Sequence, residues 1–398
     1  MTPPPTDVRT AVAGLAPPFA VLDLDAARAN ARELVRRAHG VPVRLASKSL
    51  RIRPLIADIL RTDGMRGVLA YTLAEALWLV ETGTADDVLV AYPTTDRDAL
   101  RRLLADDRLR RAVTLTVDSD DHLDLVDAVR DTAGDAAGAE VRVCLDVDAS
   151  LVVGPVRIGA LRSPVRTPEE AAGLARRVGD RGGYRVVGLL LYEGQVAGTA
   201  DTSAAVRAMK AVSTREIAAR RARVTAAVGE ALAVAGRPPL EFVNGGGTGS
   251  VETTAAESAV TEIGAGSGVV GPALFDHYRA FAPRPAEWFV VPVVRRPAAD
   301  VVTVAGGGRI ASGPPGTDRV PVVDHPEGLR LTRLEGAGEV QTPLRGAAAR
   351  RLRLGDGVWF RHAKAGEQAE HTDRVVVVSG GDIIDHWHTY RGEGMTFL

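Results

Sequence analysis

Short apolar runs alternate with longer helical patterns through the first two thirds of the chain, and this alternation limits the possible fold more than any other feature. The runs are rich in Val and Leu and lack regular polar positions, which is typical of strands buried on both faces of a parallel sheet. Eight strand–helix units precede about residue 260, which predicts a (β/α)8 barrel rather than an open sheet. The predicted strands are FAVLDL (19–24), VRLASKSL (43–50), GVLAYT (67–72), DVLVAYP (87–93), VTLTVDS (113–119), VRVCLDVDAS (141–150), VVGLLLYEG (186–194) and FVNGGGTGS (242–250).

Helical periodicity ends near residue 283, where proline becomes frequent in the stretch PRPAEWFVVPVV. The later apolar runs have strand composition and are separated by Gly, Pro and Asp. They include WFVVPVV, DVVTVAGG, GDGVWFRH and DRVVVVSG. The sequence therefore predicts an α/β barrel domain over residues 1–282 and a mostly β domain over residues 283–398.

Composition and charge exclude several classes of protein. Hydrophobic residues make up 45% and charged residues 25% of the 398 residues, as in ordinary globular proteins. The formal net charge is -1, so bulk charge predicts no surface for nucleic acid or membranes. The start MTPPPTDVRT lacks a signal-peptide pattern and no apolar run approaches the ~20 residues of a membrane helix, so we expect a cytoplasmic protein. The one cysteine, Cys144, lies in the run VRVCLDV and is expected to be a buried thiol.

Lys48 stands at the end of the second predicted strand, and strand ends carry the functional loops of a βα barrel. A desolvated lysine has a lowered pKa and can attack a carbonyl to form a Schiff base. A salt-bridged lysine, or one that extends to solvent, is the structural alternative.

The glycine-rich stretch VNGGGTGS (243–250) follows the eighth predicted strand. Consecutive glycines allow backbone N–H groups to close on an anion, and many barrels bind phosphate after strands 7 and 8. A tight turn is the alternative. The next segment, TEIGAGSG (261–268), offers further small residues. Together, a strand-end lysine and a phosphate loop predict pyridoxal phosphate (PLP), whose aldehyde the lysine holds and whose ring stabilises a carbanion.

Stretches that span nearly the whole chain resemble the fold-type III PLP enzymes, which are alanine racemase-like barrels. Within them the chain is similar to the D-threonine aldolase and D-serine dehydratase branch, and especially to the amino acid deaminase/aldolase family. The stretches that carry this resemblance are PFAVLDLDAARANA, RLASKSLR, DVDASLVVGPVRIG, GLLLYEGQVAG, FVNGGGTGS, TEIGAGSGVVGPALFDHY, GDGVWFRHAKAGE and TYRGEGMTFL.

The resemblance implies roles for several residues of the barrel. Lys48 is the lysine that holds PLP, Arg157 lies near the pyridine ring, and Tyr192 lies beside the cofactor. A surface ion pair is the alternative for Arg157, and a plain core aromatic is the alternative for Tyr192. The resemblance also implies that Gln195 and Lys364 bind substrate. The implied phosphate-binding residues are Gly246, Gly247, Thr248, Gly266 and Ser267.

The C-terminal part departs from the family pattern. Relatives of this branch place a divalent metal on a histidine and on a second ligand two residues later, usually Asp or Cys. In the matching stretch RHAKAGE, His362 fits the first ligand but Lys364 occupies the second position. A protonated lysine has no lone pair for a metal, so either its ammonium replaces the metal or Glu367 supplies an oxygen.

The stretch DHWHTY (385–390) offers a second metal candidate, because His386 and His388 would share one face of a strand. The alternative is a polar loop, and His371 is expected at the surface. A metal at either position would be manganese, magnesium or zinc.

The resemblance implies a PLP-dependent lyase that cleaves or forms the Cα–Cβ bond of a D-threonine-like β-hydroxy-α-amino acid. A dehydratase of D-serine or D-threonine is the first alternative. A racemase is the next, and it would need a second base such as Tyr278 or Tyr390. A non-catalytic PLP-binding protein is the last. Two-domain members of this fold are typically homodimers with active sites shared between subunits, and we expect the same here.

Overall fold

The computed structural model describes residues 3–132, 140–314 and 316–398, and strands and helices are numbered over these residues. Most strands are short and rich in Val and Leu, as the sequence predicts. The strands are β1 (Phe19–Asp23), β2 (Val43–Ala46), β3 (Met65–Ala70), β4 (Val88–Val90), β5 (Val113–Val117), β6 (Val141–Asp146), β7 (Leu151–Val153), β8 (Val156–Ile158), β9 (Tyr184–Leu191), β10 (Phe242–Gly245), β11 (Glu262–Ala265), β12 (Glu287–Ala298), β13 (Val301–Ala305), β14 (Val322–His325), β15 (Arg330–Leu331), β16 (Gln341–Arg345), β17 (Gly357–Arg361), β18 (Arg374–Ser379) and β19 (Asp382–His388).

Helices follow most of the barrel strands, and several begin at capping residues. Thr167 and Glu170 form a reciprocal capping box at the start of one helix, and Ser203 accepts from the backbone of Val206 at the start of another. The helices are α1 (Thr6–Ala11), α2 (Leu24–Arg37), α3 (Arg53–Leu60), α4 (Leu73–Glu81), α5 (Arg97–Ala105), α6 (Asp107–Ala112), α7 (Asp120–Thr132), α8 (Pro168–Arg181), α9 (Gly194–Ala197), α10 (Ala204–Val234) and α11 (Val251–Ala255).

Eight parallel strands close into a barrel in the order β10-β11-β2-β3-β4-β5-β6-β9. Ala265 of β11 pairs with Leu45 of β2, and Gly245 of β10 pairs with Leu191 of β9, so closure is by continuous parallel pairing. The predicted (β/α)8 barrel followed by a mostly β region is therefore confirmed. Because all eight strands are parallel, their carboxyl ends meet at one rim.

The prediction that FAVLDL (19–24) is the first barrel strand is wrong. FAVLDL forms β1, which pairs with β12 and β18 in a different sheet. The missing barrel strand is β11, a four-residue strand within the glycine-containing stretch TEIGAG. A short run buried on both faces has the same composition in either sheet, so its partner cannot be read from its residues. Lys48 therefore follows the first strand of the barrel, and the glycine-rich loop follows the seventh.

The interior of the barrel contains an apolar cluster and an ionic cluster. Cys144 is fully buried beside Leu89 and Phe242, as expected for a structural thiol. The Arg44 guanidinium is also buried in the barrel and donates to both oxygens of the Glu262 carboxylate, at 2.8 and 3.0 Å. Burying an unpaired guanidinium would be costly, and this bidentate pairing is what makes Arg44 tolerable in the core.

A second sheet of nine strands carries the β-rich part of the chain. Its main path is β15-β16-β13-β12-β1-β18-β19, and β17 pairs with both β12 and β14. Alternate residues of β12 enter opposite cores, since Trp288 and Val290 pack on one side whereas Phe289 and Val291 pack on the other. The long apolar run in β12 is therefore explained by burial on both faces.

The chain divides into two compact units. The sheet unit comprises Met1–Glu33, Ser49–Leu55 and Ser267–Thr396, and the barrel unit comprises Leu34–Lys48, Ile56–Gly266 and Phe397–Leu398. The domain boundary between residues 282 and 283 stays a prediction. Within the described residues, no helix combines the length and apolarity needed to cross a membrane.

Candidate active site

Lys48 lies in a short 3-10 turn, Ser47–Ser49, immediately after β2 at the carboxyl rim of the barrel. The buried hydroxyl of Ser47 donates to the Leu69 carbonyl at 3.2 Å and holds the turn against the neighbouring strand. The Lys48 side chain is accessible to solvent, and its Nζ donates to the Tyr92 hydroxyl at 3.0 Å. The amine is therefore positioned by the barrel and still open to a small molecule.

Tyr92 follows β4 by two residues, and its phenol is tuned by two cations. Burial opposes ionisation of the phenol, but the Lys48 ammonium and the Arg162 guanidinium outweigh it and lower the pKa of Tyr92. Burial would lower the pKa of Lys48 as well, but the oxygens of Tyr92 and Tyr192 outweigh burial and raise the pKa of Lys48. The expectation of a lowered lysine pKa is therefore wrong for the free side chain, because two phenols offset its desolvation.

Arg162 lies against two tyrosine rings of the rim. Its Cζ is 5.0 Å from the ring centroid of Tyr92 and 5.7 Å from that of Tyr192, which are cation–π distances. Tyr192 directly follows β9, and burial is the main reason that the pKa of its phenol is raised. Lys48, Tyr92, Arg162 and Tyr192 thus form one cluster of amine, guanidinium and aromatic groups.

The glycine-rich loop follows β10 and packs on this cluster. Gly246 has a φ of 82°, a conformation that favours glycine. A Cβ on Gly247 would lie 2.8 Å from Ala197 Cβ and 3.3 Å from Tyr192 Cε2, so only glycine leaves space there. The loops after the seventh and eighth barrel strands are where barrels commonly bind phosphate. Thr248 is buried in the first of these loops.

Gly266 and Ser267 follow β11, the eighth barrel strand. A Cβ on Gly266 would lie 2.4 Å from the Ala46 carbonyl oxygen, so glycine is needed for close packing against β2. Ser267 begins the 3-10 turn Ser267–Val269 in the sheet unit. Their role as phosphate ligands stays a prediction.

A buried carboxylate holds the glycine-rich loop from inside the barrel unit. Glu193 accepts from the Gly246 backbone N–H at 3.2 Å and from the Ser250 hydroxyl at 2.8 Å. The Thr254 hydroxyl donates to the same carboxylate, and Arg221 pairs with it at 2.7 Å. The Gly246 N–H therefore has a protein acceptor, and Glu193 fixes the shape of the loop.

Arg157 lies on the two-stranded hairpin of β7 and β8 and pairs with Asp148 at 2.7 Å. Its side chain is 40% exposed. Burial opposes ionisation of Asp148, but hydrogen bonds from Ser150 and Arg157 outweigh it and lower the pKa of Asp148. The arginine that contacts the tyrosines is Arg162, and the role of Arg157 beside a pyridine ring stays a prediction.

Gln195 is buried after β9, and its amide nitrogen donates to the Ala149 carbonyl at 2.7 Å and to the Ser213 hydroxyl at 2.8 Å. Its amide oxygen is buried and has no hydrogen-bond partner among the described residues. The amide nitrogen thus holds the side chain in place, and substrate binding by Gln195 stays a prediction.

His362 lies in a pocket of the sheet unit, and it is 2% exposed. Over the described residues, neither ring nitrogen has a hydrogen-bond partner. Burial, followed by the positive charges of Arg361 and Arg309, lowers the pKa of His362 to about 3. The imidazole is therefore neutral and keeps a lone pair for a ligand or a hydroxyl group.

Lys364 and Glu367 line the same pocket as His362. The Lys364 ammonium donates to the Ser312 carbonyl at 2.7 Å, and the Glu367 carboxylate accepts from the Ser312 backbone N–H at 2.9 Å. His371 also lines the pocket and is exposed, as expected. No three His, Cys, Asp or Glu side chains converge as a metal site anywhere in the part of the chain that the structure describes.

His386 and His388 lie on β19, and both are exposed. They are two residues apart in a strand, so they share one face, as the spacing predicts. Metal binding by this pair stays a prediction.

Four rim residues were missed by the sequence reasoning. Tyr92, Asp146 and Glu193 lie at or just after barrel strands, so the rule applied to Lys48 would also have selected them. Arg162 follows the hairpin of β7 and β8, and nothing in its local sequence marks it.

A closed parallel barrel with an accessible amine after its first strand and glycine-containing loops after its seventh and eighth has the general form of a (β/α)8 enzyme, in which strand-end loops build the site. The family described as "Alanine racemase, N-terminal domain" matches residues 22–272, and the chain belongs to this family. The resemblance to fold-type III PLP enzymes is therefore confirmed, and PLP is the cofactor expected for such a protein. The residues fit that group, because Lys48 offers an accessible amine and Gly247 leaves space that a Cβ would fill.

A curated D-threonine aldolase from an Arthrobacter species is 29% identical over 267 residues, which are 67% of this chain and 64% of that protein. The solved D-threonine aldolase of Filomicrobium marinum superposes with a TM-score of 0.75 at 24% identity, covering 94% of this chain and 95% of that one. The D-threo-3-hydroxyaspartate dehydratase of Delftia sp. HT23 gives a TM-score of 0.69 at 22% identity, covering 95% and 98%. These two structural likenesses show the fold.

Proposed function

We propose that this protein is a PLP-dependent lyase that cleaves or forms the Cα–Cβ bond of a β-hydroxy-α-amino acid, with D-threonine as the model substrate. The observation that carries the proposal is the cluster of Lys48, Tyr92, Arg162 and Tyr192 at the barrel rim, with Gly247 packed on Tyr192. The family match and the curated aldolase relative support it.

The barrel unit would hold the cofactor through its own residues. Lys48 supplies the amine, the loop of Gly246, Gly247 and Thr248 surrounds the phosphate, and Tyr192 forms a wall. PLP, when bound, supplies an aldehyde for the amine and a ring that withdraws electrons from the amino acid's Cα. Tyr92 holds the Lys48 ammonium at 3.0 Å, so it keeps Nζ oriented while protons are exchanged at that nitrogen.

His362 would take part in the same reaction by accepting a hydrogen bond from the substrate's β-hydroxyl. Its neutral ring has a lone pair and no hydrogen-bond partner among the described residues, and the Glu287 carboxyl lies 3.8 Å from Nδ1. Drawing the hydroxyl proton toward this nitrogen favours breakage of the Cα–Cβ bond and release of an aldehyde.

Dehydration is the second reaction that these residues permit. It removes the Cα proton and expels the hydroxyl, which yields a keto acid and ammonia instead of an aldehyde and a smaller amino acid. Racemisation has less support, because Tyr278 packs among Phe275 and Phe281 and Tyr390 is 1% exposed. The nine-stranded sheet argues against a lone PLP-binding barrel.

The first test is the visible absorption spectrum of purified protein with PLP, before and after D-threonine, with and without EDTA. We expect a cofactor band that is lost in Lys48→Ala, and release of acetaldehyde. Lys210→Ala is the matched control, because Lys210 lies in the same unit but pairs with Asp201 at 2.7 Å. A keto acid with ammonia would identify the dehydratase instead. A protein that shows no band and cannot be loaded with PLP would refute both reactions.

We propose further that the protein is a homodimer whose active sites combine residues of both subunits. The proposal extends the typical arrangement of two-domain relatives to this chain. Sedimentation at several protein concentrations tests the dimer, and the mixing experiment described in the Discussion tests shared sites.

A further inference from the structure

His362, Glu367 and His371 all line one pocket, but among the described residues no three His, Cys, Asp or Glu side chains converge there as a site for a divalent metal. Lone pairs of His, Cys, Asp or Glu hold such ions, whereas a cation in the pocket repels them. This pocket is lined by two cationic side chains, Arg309 and Lys364. Its one acidic lining residue, Glu367, already accepts hydrogen bonds from the backbone N–H and the hydroxyl of Ser312.

The Arg309 guanidinium lines this pocket and is partly buried. It makes no ion pair within 4 Å among the described residues; its contacts are the Gln368 amide oxygen at 2.7 Å and the Phe289 ring at 4.2 Å. The Glu287 carboxyl is 2% exposed and lies 3.8 Å from His362 Nδ1, and it forms no ion pair with Arg309 within 4 Å. A partly buried guanidinium with no ion pair within 4 Å among the described residues favours a bound anion.

Two further groups point to a ligand with oxygen acceptors. Gln368 is 1% exposed, and its amide nitrogen has no hydrogen-bond partner among the described residues. A buried donor without an acceptor is unfavourable, and a ligand oxygen would satisfy it. The buried His362 ring presents one more N–H donor, because neither of its nitrogens has a hydrogen-bond partner among the described residues.

We propose that the pocket of Arg309, His362, Lys364 and Gln368 binds a carboxylate group, in the place where relatives of the branch bind a metal. A planar guanidinium with an amide N–H and an ammonium beside it matches the two oxygens of a carboxylate. Carboxylate binding in this pocket does not depend on the proposed function. The assignment of that carboxylate to the substrate rests on the proposed function, because it takes His362 as a group that contacts substrate.

The carboxylate has two sources in an amino-acid substrate. It is either the α-carboxylate that every substrate has, or a second carboxylate on the side chain. If His362 contacts the hydroxyl on Cβ, the cations beside it lie near the other groups on Cα and Cβ, so both sources fit this chemistry. A kinetic comparison of a one-carboxylate and a two-carboxylate substrate separates them.

The binding test uses EDTA-treated protein with excess PLP, so that the glycine-rich loop does not take up the probe. Malonate and Mn²⁺ are titrated separately by calorimetry. We expect malonate to bind and Mn²⁺ not to bind. Arg309→Gln and Lys364→Gln should each lower the affinity for malonate at least about tenfold, which is the effect of losing one charged hydrogen bond. Lys364 is partly exposed, so its variant keeps the test available if Arg309→Gln does not fold.

Arg345→Gln is the matched control, because Arg345 lies in the same unit, has a side chain 57% exposed and does not line the pocket. It should bind malonate like the wild type. Stoichiometric Mn²⁺ binding that His362→Ala abolishes would overturn the proposal. Failure of malonate to bind, or equal binding by all variants, would overturn it as well.

The kinetic test compares threonine with 3-hydroxyaspartate in wild type and Arg309→Gln. A rise in KM for both substrates assigns the pocket to the α-carboxylate, and a rise for 3-hydroxyaspartate alone assigns it to the side chain. An unchanged KM for both would refute the substrate assignment. If the wild type acts on neither compound, the proposed function fails, while the malonate titration still decides whether the anion site exists.

Discussion

Replacing Glu193 by Gln tests whether this buried carboxylate fixes the shape of the glycine-rich loop, as its hydrogen bonds to Gly246 and Ser250 predict. The Glu193 side chain is 3% exposed and that of Arg221 is fully buried, and the pair is 2.7 Å apart. Removing one partner of a buried ion pair costs about 3–5 kcal/mol. Gln keeps one acceptor oxygen, and Arg221 keeps its pair with Glu257, so we expect a loss of about 2–3 kcal/mol.

The stability loss is measured by urea unfolding of the protein without cofactor. The loop itself is tested by the Kd values of PLP and of pyridoxal, which lacks the phosphate. Gly246 N–H and the Ser250 hydroxyl both lose an ionised acceptor, so the loop loses its fixed shape. We expect the affinity for PLP to fall at least about tenfold and the affinity for pyridoxal to fall much less, because only PLP carries the charged phosphate.

Glu241→Gln is the matched control, since Glu241 has a side chain 34% exposed and pairs with Arg142 and Arg185. It should cost about 0–1 kcal/mol and change neither Kd. An unfolding free energy of Glu193→Gln equal to that of the wild type would refute the energetic reasoning. Equal weakening of PLP and pyridoxal would show that Glu193 supports the barrel unit in general and not the phosphate loop.

Three further predictions concern the rim and the pocket. Burial, then the Asp118 carboxylate, raises the pKa of Asp146 to about 7. Because this pKa is higher in the folded than in the unfolded protein, the folded protein loses stability as the pH rises from about 4 to about 7. The unfolding free energy of Asp146→Asn should therefore exceed that of the wild type by about 1–3 kcal/mol near pH 8 and by almost nothing near pH 4. Equal differences in urea unfolding at both pH values would contradict this. Mixing inactive Lys48→Ala with inactive His362→Ala should restore part of the lyase activity if subunits share active sites, and no recovery after subunit exchange would exclude sharing. Lys364→Asp should lose malonate binding and gain Mn²⁺ binding by calorimetry, because it replaces a cation with a ligand two residues after His362; retained malonate affinity would argue against the anion pocket.

The barrel was predictable because parallel strands buried on both faces produce apolar runs that sequence periodicity detects. The same physics limits the prediction. β1 and a barrel strand are both short Val- and Leu-rich runs, so FAVLDL was placed in the wrong sheet. β11 was overlooked because four residues with a central glycine have little strand character of their own, and its pairing with β2 and β10 makes it a strand.

Lys48 and the glycine-rich loop could be selected from the sequence, since both stand at strand ends where barrel chemistry collects. The pKa of Lys48 could not be predicted. Its direction depends on Tyr92 and Tyr192, which are distant in sequence and reach the amine only through barrel closure. The contact of Glu193 with the glycine-rich loop could likewise not be predicted, because the partners of its carboxylate lie on segments about 30 to 60 residues away.

The sequence by itself determined the parallel barrel, the β-rich second part, the amine at Lys48 and the glycines that a phosphate loop requires. These features depend on local periodicity and on residue types at strand ends. Tertiary structure alone decided which strands close the barrel, which arginine contacts the tyrosines, and what surrounds His362. Long-range packing sets those contacts. It also gives Arg44 and Arg221 buried carboxylate partners, whereas Arg309 has no ion pair within 4 Å among the described residues.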